Sequence, residues 1–411
     1  MRKGIRKNMF QMSQTVADAD NDALQNFISN SKWDSQAVLD QVAEQVNAKI
    51  GNIDNAALLI DVSGIAKKGN KSVGVARQWL GSVGKVDNGQ VGVFAALCKN
   101  TDASLINARL YLPDEWIKDP ERCKDAGVPD ADIVFKTKDE IASEMVDHAR
   151  DLEIDFGWVG ADAGYGKGLT FMKELHQRGE VFMVDVHSDF YVYLEQPKPY
   201  LPLKAENTRG RSPTRFVVDE IPVRIDQWCK SLSKSAWKKI TIREGTKGAL
   251  CYEVTTKSIW VWEQDTDRCY KWIVIVRRDP FTKSDLKYSF CNAASNPGLE
   301  RLAHMQAQRF WIERTFQDAK SECGMADYEV RGWKAWHHHM ALVLLAQSFL
   351  LDERILNRNR APLLSCRDIV ELLSAVLPSK IKSIKDIAAA MEMRHQKRQQ
   401  AIDSAALCQD T

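Results

Sequence analysis

Three acidic side chains are the first candidates for chemistry in this sequence. Asp61 closes the apolar run AALLI, and Asp162 follows the apolar run FGWVGA. Glu313 lies in residues 305–324, which carry apolar side chains at helical spacing, contain no proline and end at a glycine. A carboxylate at the end of a buried strand is costly unless its charge is needed. We therefore predict that the three acids converge on divalent metal, with Mg²⁺ as the ion that prefers such hard oxygen ligands.

Two cations share a helical face with Glu313. At 3.6 residues per turn, Arg309, Glu313 and Lys320 lie on one stripe of the predicted helix. Guanidinium and ammonium groups beside a metal site are suited to holding a scissile phosphate. The alternative is an ordinary solvated face with paired charges. Taken singly, Asp61 also fits a strand-end cap and Asp162 a turn residue.

Further basic residues indicate a polyanionic partner. Lys67, Lys68 and Lys71 lie in a polar loop after the first predicted strand, where they are candidate phosphate contacts or simply an exposed loop. Residues 197–283 hold 18 Lys and Arg against 10 Asp and Glu, a balance of +8, whereas the whole chain carries only +2. The rest of the chain is therefore mildly acidic, and the basic segment is predicted to face nucleic acid.

The elements that would position these residues follow an α/β pattern. A capping box formed by Thr137 and Glu140 predicts one amphipathic helix. The predicted order is β-β-β-α-β-α-β, with strands at 56–62, 90–97, 104–112, 156–160 and 180–186 and helices from 137 and at 169–178. This order, with Asp61 on the first strand and Asp162 just after the fourth, matches a ribonuclease H-like core, a mixed sheet flanked by helices.

A β-rich insertion is predicted to interrupt that core before the helix of Glu313. Its predicted strands are 240–243, 250–255, 258–263, 270–276 and 287–291. The predicted domains are a helical N-terminal region at 1–52, the catalytic core at 53–190 and 296–355, the insertion at 191–295, and a helical C-terminal region with a polar tail at 356–411.

Composition limits the class of protein. The chain has 411 residues, 44% hydrophobic and 27% charged, which is typical of a soluble protein of two or three domains. No apolar run approaches the length of a membrane span, and no signal peptide is visible. The nine cysteines include no CxxC pair, which favours reduced thiols. We therefore expect no membrane partner and a cytoplasmic location.

Four stretches carry a resemblance to a known family. They are DVSGIAKKGNKSVGVARQWLGSVGKVDNGQVGVFAAL, GADAGYG, WIERTFQDAK and YEVRGWKAWHHHMAL. With them the chain resembles bacterial insertion-sequence transposases of the DDE class, in the cut-and-paste branch with a β-rich insertion before the catalytic Glu. That branch shares the signature Tyr-x2-Arg-x3-Glu-x6-Lys. Arg309, Glu313 and Lys320 fit it, whereas Gln306 occupies the Tyr position.

The resemblance implies a DNA endonuclease and strand transferase. Asp61, Asp162 and Glu313 would be catalytic and would bind two Mg²⁺ ions, with Mn²⁺ as a substitute. Arg309 and Lys320 would contact the DNA backbone. The partners would be double-stranded DNA, as transposon ends and target, and a second copy of the chain in a homodimer. The protein would be associated with the nucleoid when it is bound to DNA.

In relatives that form hairpins, a Trp of the insertion stacks on a flipped base. The candidates here are Trp260, Trp262 and Trp272, with Trp262 chosen for the DNA contact and packing in the β module as the alternative. Two other functions remain open. One is a non-catalytic DNA-binding remnant that represses element ends, and the other is a ribonuclease H-like nuclease without strand transfer.

Overall fold

A mixed sheet of ten strands lies at the centre of the part of the chain that the structure describes. The computed structural model describes residues 6–203, 211, 213–245, 248–294, 297–380 and 383–407. Its strands are β1 (Asn52–Ala66), β2 (Ala76–Leu80), β3 (Lys85–Lys99), β4 (Asp102–Leu110), β5 (Phe156–Ala161), β6 (Phe182–Val186), β7 (Tyr191–Val192), β8 (Val223–Arg224), β9 (Lys238–Arg243), β10 (Leu250–Trp262), β11 (Cys269–Arg278) and β12 (Lys287–Cys291). All except β7 and β8, which pair with each other, belong to the large sheet.

Helices flank this sheet. They are α1 (Met9–Ser13), α2 (Asn21–Ser29), α3 (Ser35–Ile50), α4 (Asp114–Ile117), α5 (Pro120–Asp125), α6 (Lys138–Asp151), α7 (Thr170–Gln177), α8 (Ile225–Lys230), α9 (Leu299–Gln308), α10 (Phe310–Glu322), α11 (Trp333–Leu356), α12 (Cys366–Val376) and α13 (Ile384–Leu407). Helix α10 packs on β1, β3 and β4, and α11 packs on α2, α3 and β4. None of the described helices is long and apolar enough to cross a bilayer.

Five adjacent strands reproduce the predicted core. They lie in the order β4-β3-β1-β5-β6, with β3 antiparallel to both of its neighbours and β1, β5 and β6 mutually parallel. Residues Ala56 to Ile60 of β1 are at most 1% exposed, as expected for a strand covered on both faces. The large mixed sheet and its flanking helices confirm the predicted ribonuclease H-like fold class.

The edge strand β2 was not predicted. It pairs antiparallel with the first part of β3, and Trp79 on it is 63% exposed. The sequence ARQWL is short and contains no β-branched residue, so its local pattern gives little strand signal. Pairing with β3, not local propensity, makes this segment a strand.

The strands of the insertion extend the core sheet. β12 is antiparallel to β6, with Phe290 opposite Val184, and β11, β10 and β9 follow outward. The predicted break between strands 250–255 and 258–263 is wrong, because Thr256 and Lys257 continue the ladder with β11. The division into four domains stays a prediction.

The predicted helix 305–324 is interrupted at one residue. α9 ends at Gln308 and α10 begins at Phe310, with Arg309 between them at φ −54° and ψ −30°. The amide of Ile312 donates to the Arg309 carbonyl at 3.3 Å, a tightened turn of 3₁₀ type. Arg309, the residue at this junction, is the cation that contacts the acidic site.

In the C-terminal region, helix α13 extends to Leu407 and includes much of the segment predicted to be a polar tail.

Three consecutive histidines of α11 bind different backbone carbonyls. His337 contacts Trp333 O at 2.9 Å, and His339 contacts Gly324 O at 3.0 Å. His338 contacts Ile28 O at 2.8 Å and Trp33 O at 2.9 Å. Successive helical positions point in different directions. The His337 bond lies within α11, whereas His338 and His339 join α11 to residues outside it.

Buried His339 should make the protein sensitive to mild acid. Burial lowers the pKa of its imidazole to about 4. Between this value and the usual 6.5 the unfolded state binds more protons, so stability should fall as the pH drops through that window. We expect wild type to lose up to about 3 kcal/mol relative to His339→Gln between pH 7 and pH 4. Urea denaturation at several pH values measures this, and parallel curves for the two proteins would contradict it.

Candidate active site

Asp61 and Asp162 lie side by side where the parallel pairing of β1 with β5 ends. Ile60 of β1 is paired with Ala161 of β5; Asp61 is the next residue of β1, which continues to Ala66, and Asp162 is the first residue after β5. Neighbouring strands are about 4.8 Å apart. The parallel register therefore brings together two carboxylates that are about a hundred residues apart in the sequence.

The pKa of Asp61 reflects this proximity. Burial, followed by the negative charge of Asp162, raises the pKa of Asp61 to about 7, and the charge of Glu313 acts in the same direction. Arg309 and the Val62 amide, which donates at 2.7 Å, oppose the shift. The three predicted acids thus interact electrostatically at one end of the sheet, and a cation placed there would relieve their repulsion.

A tight turn fixes Asp162. The Gly164 amide donates to Asp162 Oδ1 at 2.9 Å, and the Tyr165 and Gly166 amides lie 3.2 Å from the Asp162 carbonyl. A Cβ at Gly166 would lie 1.9 Å from the carbonyl oxygen of Asp185, so this turn can approach β6 only with glycine there. The GADAGYG sequence therefore places the Asp162 turn directly against β6.

Glu313 is connected to the site by its ion pair with Arg309. The Arg309 Nη2 atom lies 2.5 Å from Glu313 Oε1, and Nη1 lies 3.7 Å from Asp61 Oδ2. Its Nε atom lies 2.9 Å from Oδ2 of Asp185. Burial acts to lower the pKa of Arg309, but these three carboxylates raise it above its usual value. One guanidinium thus bridges three acids.

Asp185 is a residue of the site that the sequence reasoning missed. It lies on β6, the third parallel strand, in the run VFMVDV, so the signal was again an acid near the end of an apolar strand. Ser289 Oγ donates to Asp185 Oδ1 at 2.5 Å, and Gln306 Nε2 donates to Ser289 Oγ at 2.8 Å. Gln306, at the Tyr position of the signature, therefore supports Asp185 and through it Arg309.

Two of the three acids predicted to bind metal are placed to bind a divalent cation. Asp61 and Asp162 supply adjacent hard oxygen donors whose mutual repulsion a cation would reduce. Glu313 is directed to Arg309, and its side chain is 51% exposed. Among the described residues, no group of three His, Cys, Asp or Glu is arranged to hold a metal ion. The Asp61–Asp162 pair fits such an ion, while ligation by Glu313 stays a prediction.

The predicted DNA-contacting lysines fall into two groups. Burial lowers the pKa of Lys320, and the charge of Asp61 opposes that effect, which places this ammonium near the acids. Lys67 instead donates to Tyr328 O at 3.1 Å, and its ammonium lies 3.4 Å from the centre of that ring. Lys68 and Lys71 are exposed. The structure brings only Lys320 to the acidic site, and the DNA contacts of all three loop lysines stay predictions.

The tryptophans of the insertion differ in access. Trp272 is 1% exposed and stacks on Tyr270 inside the core, so the structure favours packing over base contact for it. Trp262 is half-buried and donates from Nε1 to Thr266 O at 2.8 Å. Trp260 is also half-buried and lies opposite Lys271 in the ladder. The DNA contact assigned to Trp262 stays a prediction.

A cavity of about 510 Å³ opens beside Arg309 and Glu313. Its walls combine aromatic rings with cations: Tyr252, Phe310, Trp311, Arg243, Arg277 and Lys287. The Arg243 guanidinium lies 4.9 Å from the Phe310 ring centre and 4.6 Å from that of Trp311. Sequence reasoning missed this group because its members come from strands β9 to β12 and helix α10.

Two comparisons with known proteins indicate the family of the chain. The family described as DDE superfamily endonuclease matches residues 1–249, which include Asp61 and Asp162 but end before Glu313. The chain is also 27% identical over 194 residues to a probable transposase for insertion sequence element IS701 of Microchaete diplosiphon. That alignment covers 46% of each protein, so the chain matches less than half the length of this relative.

Proposed function

We propose that this chain, which belongs to the DDE superfamily endonuclease family, is a transposase that cuts the ends of an insertion sequence and joins them to target DNA. The observation that carries the proposal is the pair Asp61 and Asp162, which lie side by side where the parallel pairing of β1 with β5 ends, with the charge of Glu313 also acting on Asp61. The likeness to a probable insertion-sequence transposase supports the same reading.

Asp61, Asp162 and Glu313 are the proposed holders of the metal. When bound, two Mg²⁺ ions, or Mn²⁺ in their place, would supply charge neutralisation for the attacking and leaving oxygens of a phosphodiester. The carboxylate oxygens of Asp61 and Asp162 supply the adjacent donors that such binding needs. Glu313 completes the set once its oxygen is released from Arg309.

The cations of the site are proposed to bind the DNA backbone. Arg309 has a planar, multiply donating group at the centre of the acids, and Lys320 lies close to Asp61. Phosphoryl transfer depends chiefly on alignment and charge stabilisation, which such groups provide. The adjacent cavity has the aromatic and cationic walls that would accept a nucleotide next to the scissile bond. We extend the proposal to two copies of the chain acting on two DNA ends.

Two other functions would use the same fold. A repressor would bind element ends without cutting, but the repulsion between buried Asp61 and its half-buried neighbour Asp162 favours a cation-dependent enzyme. A nuclease without strand transfer would share the whole site and differ only in its products.

A cleavage and joining assay separates these functions. We expect the full chain, mixed with DNA that carries the termini of its own element and a target plasmid, to produce cut ends and joined molecules with Mg²⁺ or Mn²⁺ but none with EDTA. Binding without nicking in either metal would support the repressor. Cleavage without any joined product would support the simple nuclease. Either result would overturn the transposase proposal.

A further inference from the structure

A solvent-exposed tryptophan lies on the hairpin formed by β2 and β3. Trp79 is 63% exposed, and no described residue accepts a hydrogen bond from its indole or stacks on its ring. Its cross-strand partner Val86 is 49% exposed. Arg77, two residues earlier and therefore on the same face of β2, is exposed as well. One face of this hairpin thus presents an aromatic ring, an aliphatic side chain and a cation to solvent.

The opposite face of the hairpin is packed against the sheet. Leu80 is 0% exposed, and Ala76 is 7% exposed. A Cβ at Gly64 would lie 2.6 Å from Leu80 Cδ2, and a Cβ at Gly89 would lie 2.7 Å from Leu80 Cδ1, so Leu80 fills the space that these two glycines leave. Because this packing anchors β2 from one side, Trp79 is held in a fixed position on the other side.

The lysine loop that follows β1 is attached to the same hairpin. Asn88 is the cross-strand partner of Arg77, and its Nδ2 atom donates to the carbonyl oxygens of Lys67 and Gly69, each at 2.8 Å. Lys68 lies between these two anchored residues and is exposed. The exposed cations of the loop and of the hairpin therefore belong to one continuous surface.

The hairpin projects from the edge of the sheet that holds the acids. Along β3, Phe94 pairs with Asp61 and Val86 pairs with Trp79, eight residues nearer the turn. At about 3.4 Å per residue, Trp79 lies up to about 27 Å from Asp61, in the direction in which β1 continues past its acid. Residues 64–89 hold five Lys and Arg against one Asp, a balance of +4, whereas the whole chain carries +2. This position and this charge suit a polyanion that extends from the acidic site.

We propose that Lys68, Arg77, Trp79 and Val86, which we call the hairpin face, bind the DNA duplex that runs outward from the cleavage site. The inference rests on the proposed function. Lys68 and Arg77 contact phosphates, and the indole of Trp79 packs in the minor groove against sugars and base edges. Since DNA rises about 3.4 Å per base pair, this contact falls about eight base pairs from the scissile phosphate. The hairpin face therefore holds the DNA and takes no part in the chemical step.

Trp79→Ala in the full chain tests the proposal by gel-shift titration and hydroxyl-radical footprinting on duplexes that carry the termini of the element. We expect the affinity for DNA to fall at least about fivefold. Protection about eight base pairs from the cleavage position should be lost, while protection at the cleavage position stays. The cleavage rate at saturating DNA and the unfolding temperature should equal those of wild type.

Arg77→Gln tests the phosphate contact independently of the aromatic ring. We expect weaker binding and a slope of log affinity against log salt concentration that is smaller by about 1, because one phosphate contact is lost. An unchanged slope would contradict the role of Arg77.

Ile53→Ala is the matched control for Trp79→Ala. Ile53 is 67% exposed and lies near the start of β1, at the end of the strand away from the hairpin. Its replacement also removes an exposed apolar side chain, and it should leave the affinity and the footprint unchanged. Equal losses in the two variants would overturn the specific role of the hairpin face.

Two further results would overturn the inference while leaving the proposed function intact. One is wild-type affinity and footprint in Trp79→Ala. The other is an unchanged footprint with a smaller fraction of dimer in sedimentation without DNA, which would show that the hairpin face binds a second copy of the chain. A wild-type protein that neither binds nor cuts the terminal DNA would overturn the proposed function as well.

Discussion

Asp162→Ala is expected to abolish cutting of DNA that carries the element ends. The substitution removes one of the two adjacent carboxylates proposed to hold the metal, and it leaves Asp61 without its neighbour. Metal-assisted charge stabilisation is worth several kcal/mol, and about 4 kcal/mol corresponds to a rate loss of about a thousandfold. Gel assays of cleavage rate, run beside gel-shift assays of DNA affinity, measure the effect.

The fold and the DNA affinity of this variant should survive. The lost hydrogen bond from the Gly164 amide is worth about 1 kcal/mol. Relief of repulsion on Asp61 acts in the opposite direction, because the charge of Asp162 helps to raise the pKa of that group. The proposed phosphate contacts, Arg309 and Lys320, stay in place.

Asp155→Ala provides the control on the same strand. Asp155 immediately precedes β5, at the end opposite Asp162, and it is exposed. Its replacement should leave cleavage at the wild-type rate. Efficient cutting by Asp162→Ala would refute the site assignment, and equal losses in both variants would point to a general effect on folding.

Arg309→Ala is expected to destabilise the metal-free protein strongly. The Arg309 side chain is 16% exposed, and it faces Asp61 and Asp185 side chains that are 12% and 15% exposed. Removing one partner of a buried ion pair leaves uncompensated charge and typically costs about 3–5 kcal/mol. Urea denaturation at neutral pH measures the loss. Activity should also fall, because Arg309 is one of the two cations proposed to bind the DNA backbone.

Added Mg²⁺ should recover more stability in Arg309→Ala than in wild type. With the guanidinium gone, Asp61, Asp185 and Glu313 lack their shared cation, and a divalent ion can compensate part of that charge. This comparison separates an electrostatic loss from a simple packing loss. An equal Mg²⁺ effect on both proteins would contradict the proposed compensation.

Arg314→Ala is the matched control for this experiment. Arg314 also lies on α10 and pairs with Asp318 at 2.9 Å, four residues along the helix, but its side chain is 42% exposed. Because Arg314 is largely solvated although Asp318 is only 13% exposed, we expect its removal to cost less than that of Arg309, on the order of 1 kcal/mol. Comparable destabilisation by Arg314→Ala and Arg309→Ala would show that the ion pairs of Arg309 stabilise the protein no more than the Arg314 pair does.

Local patterns sufficed for most strands of the large sheet. The apolar runs before Asp61 and Asp162 predicted buried strands, and β1 and β5 are such strands; β5 ends just before Asp162, whereas β1 continues past Asp61 to Ala66. A helix-spaced stretch predicted the helix of Glu313. These predictions succeed because a buried strand or an amphipathic helix needs apolar side chains at regular spacings among neighbouring residues.

Other features depend on partners that are distant in the sequence. Edge strand β2 is stabilised by its antiparallel pairing with β3, and β12 joins the insertion to β6. Lys67 is directed to Tyr328, which lies far along the chain. No periodicity within a short window records such a pairing, so reasoning from local patterns could not have found it.

By itself, the sequence determined the apolar runs of the core and the acids that follow them, because burial and periodicity act on neighbouring residues. Only the tertiary structure decided that Asp185 joins the site and that Arg309 bridges three carboxylates. The reason is that strand register and the packing of α10 against the sheet set the distances between side chains from remote segments. Distances of a few ångströms decide whether a charge is paired or a donor is satisfied.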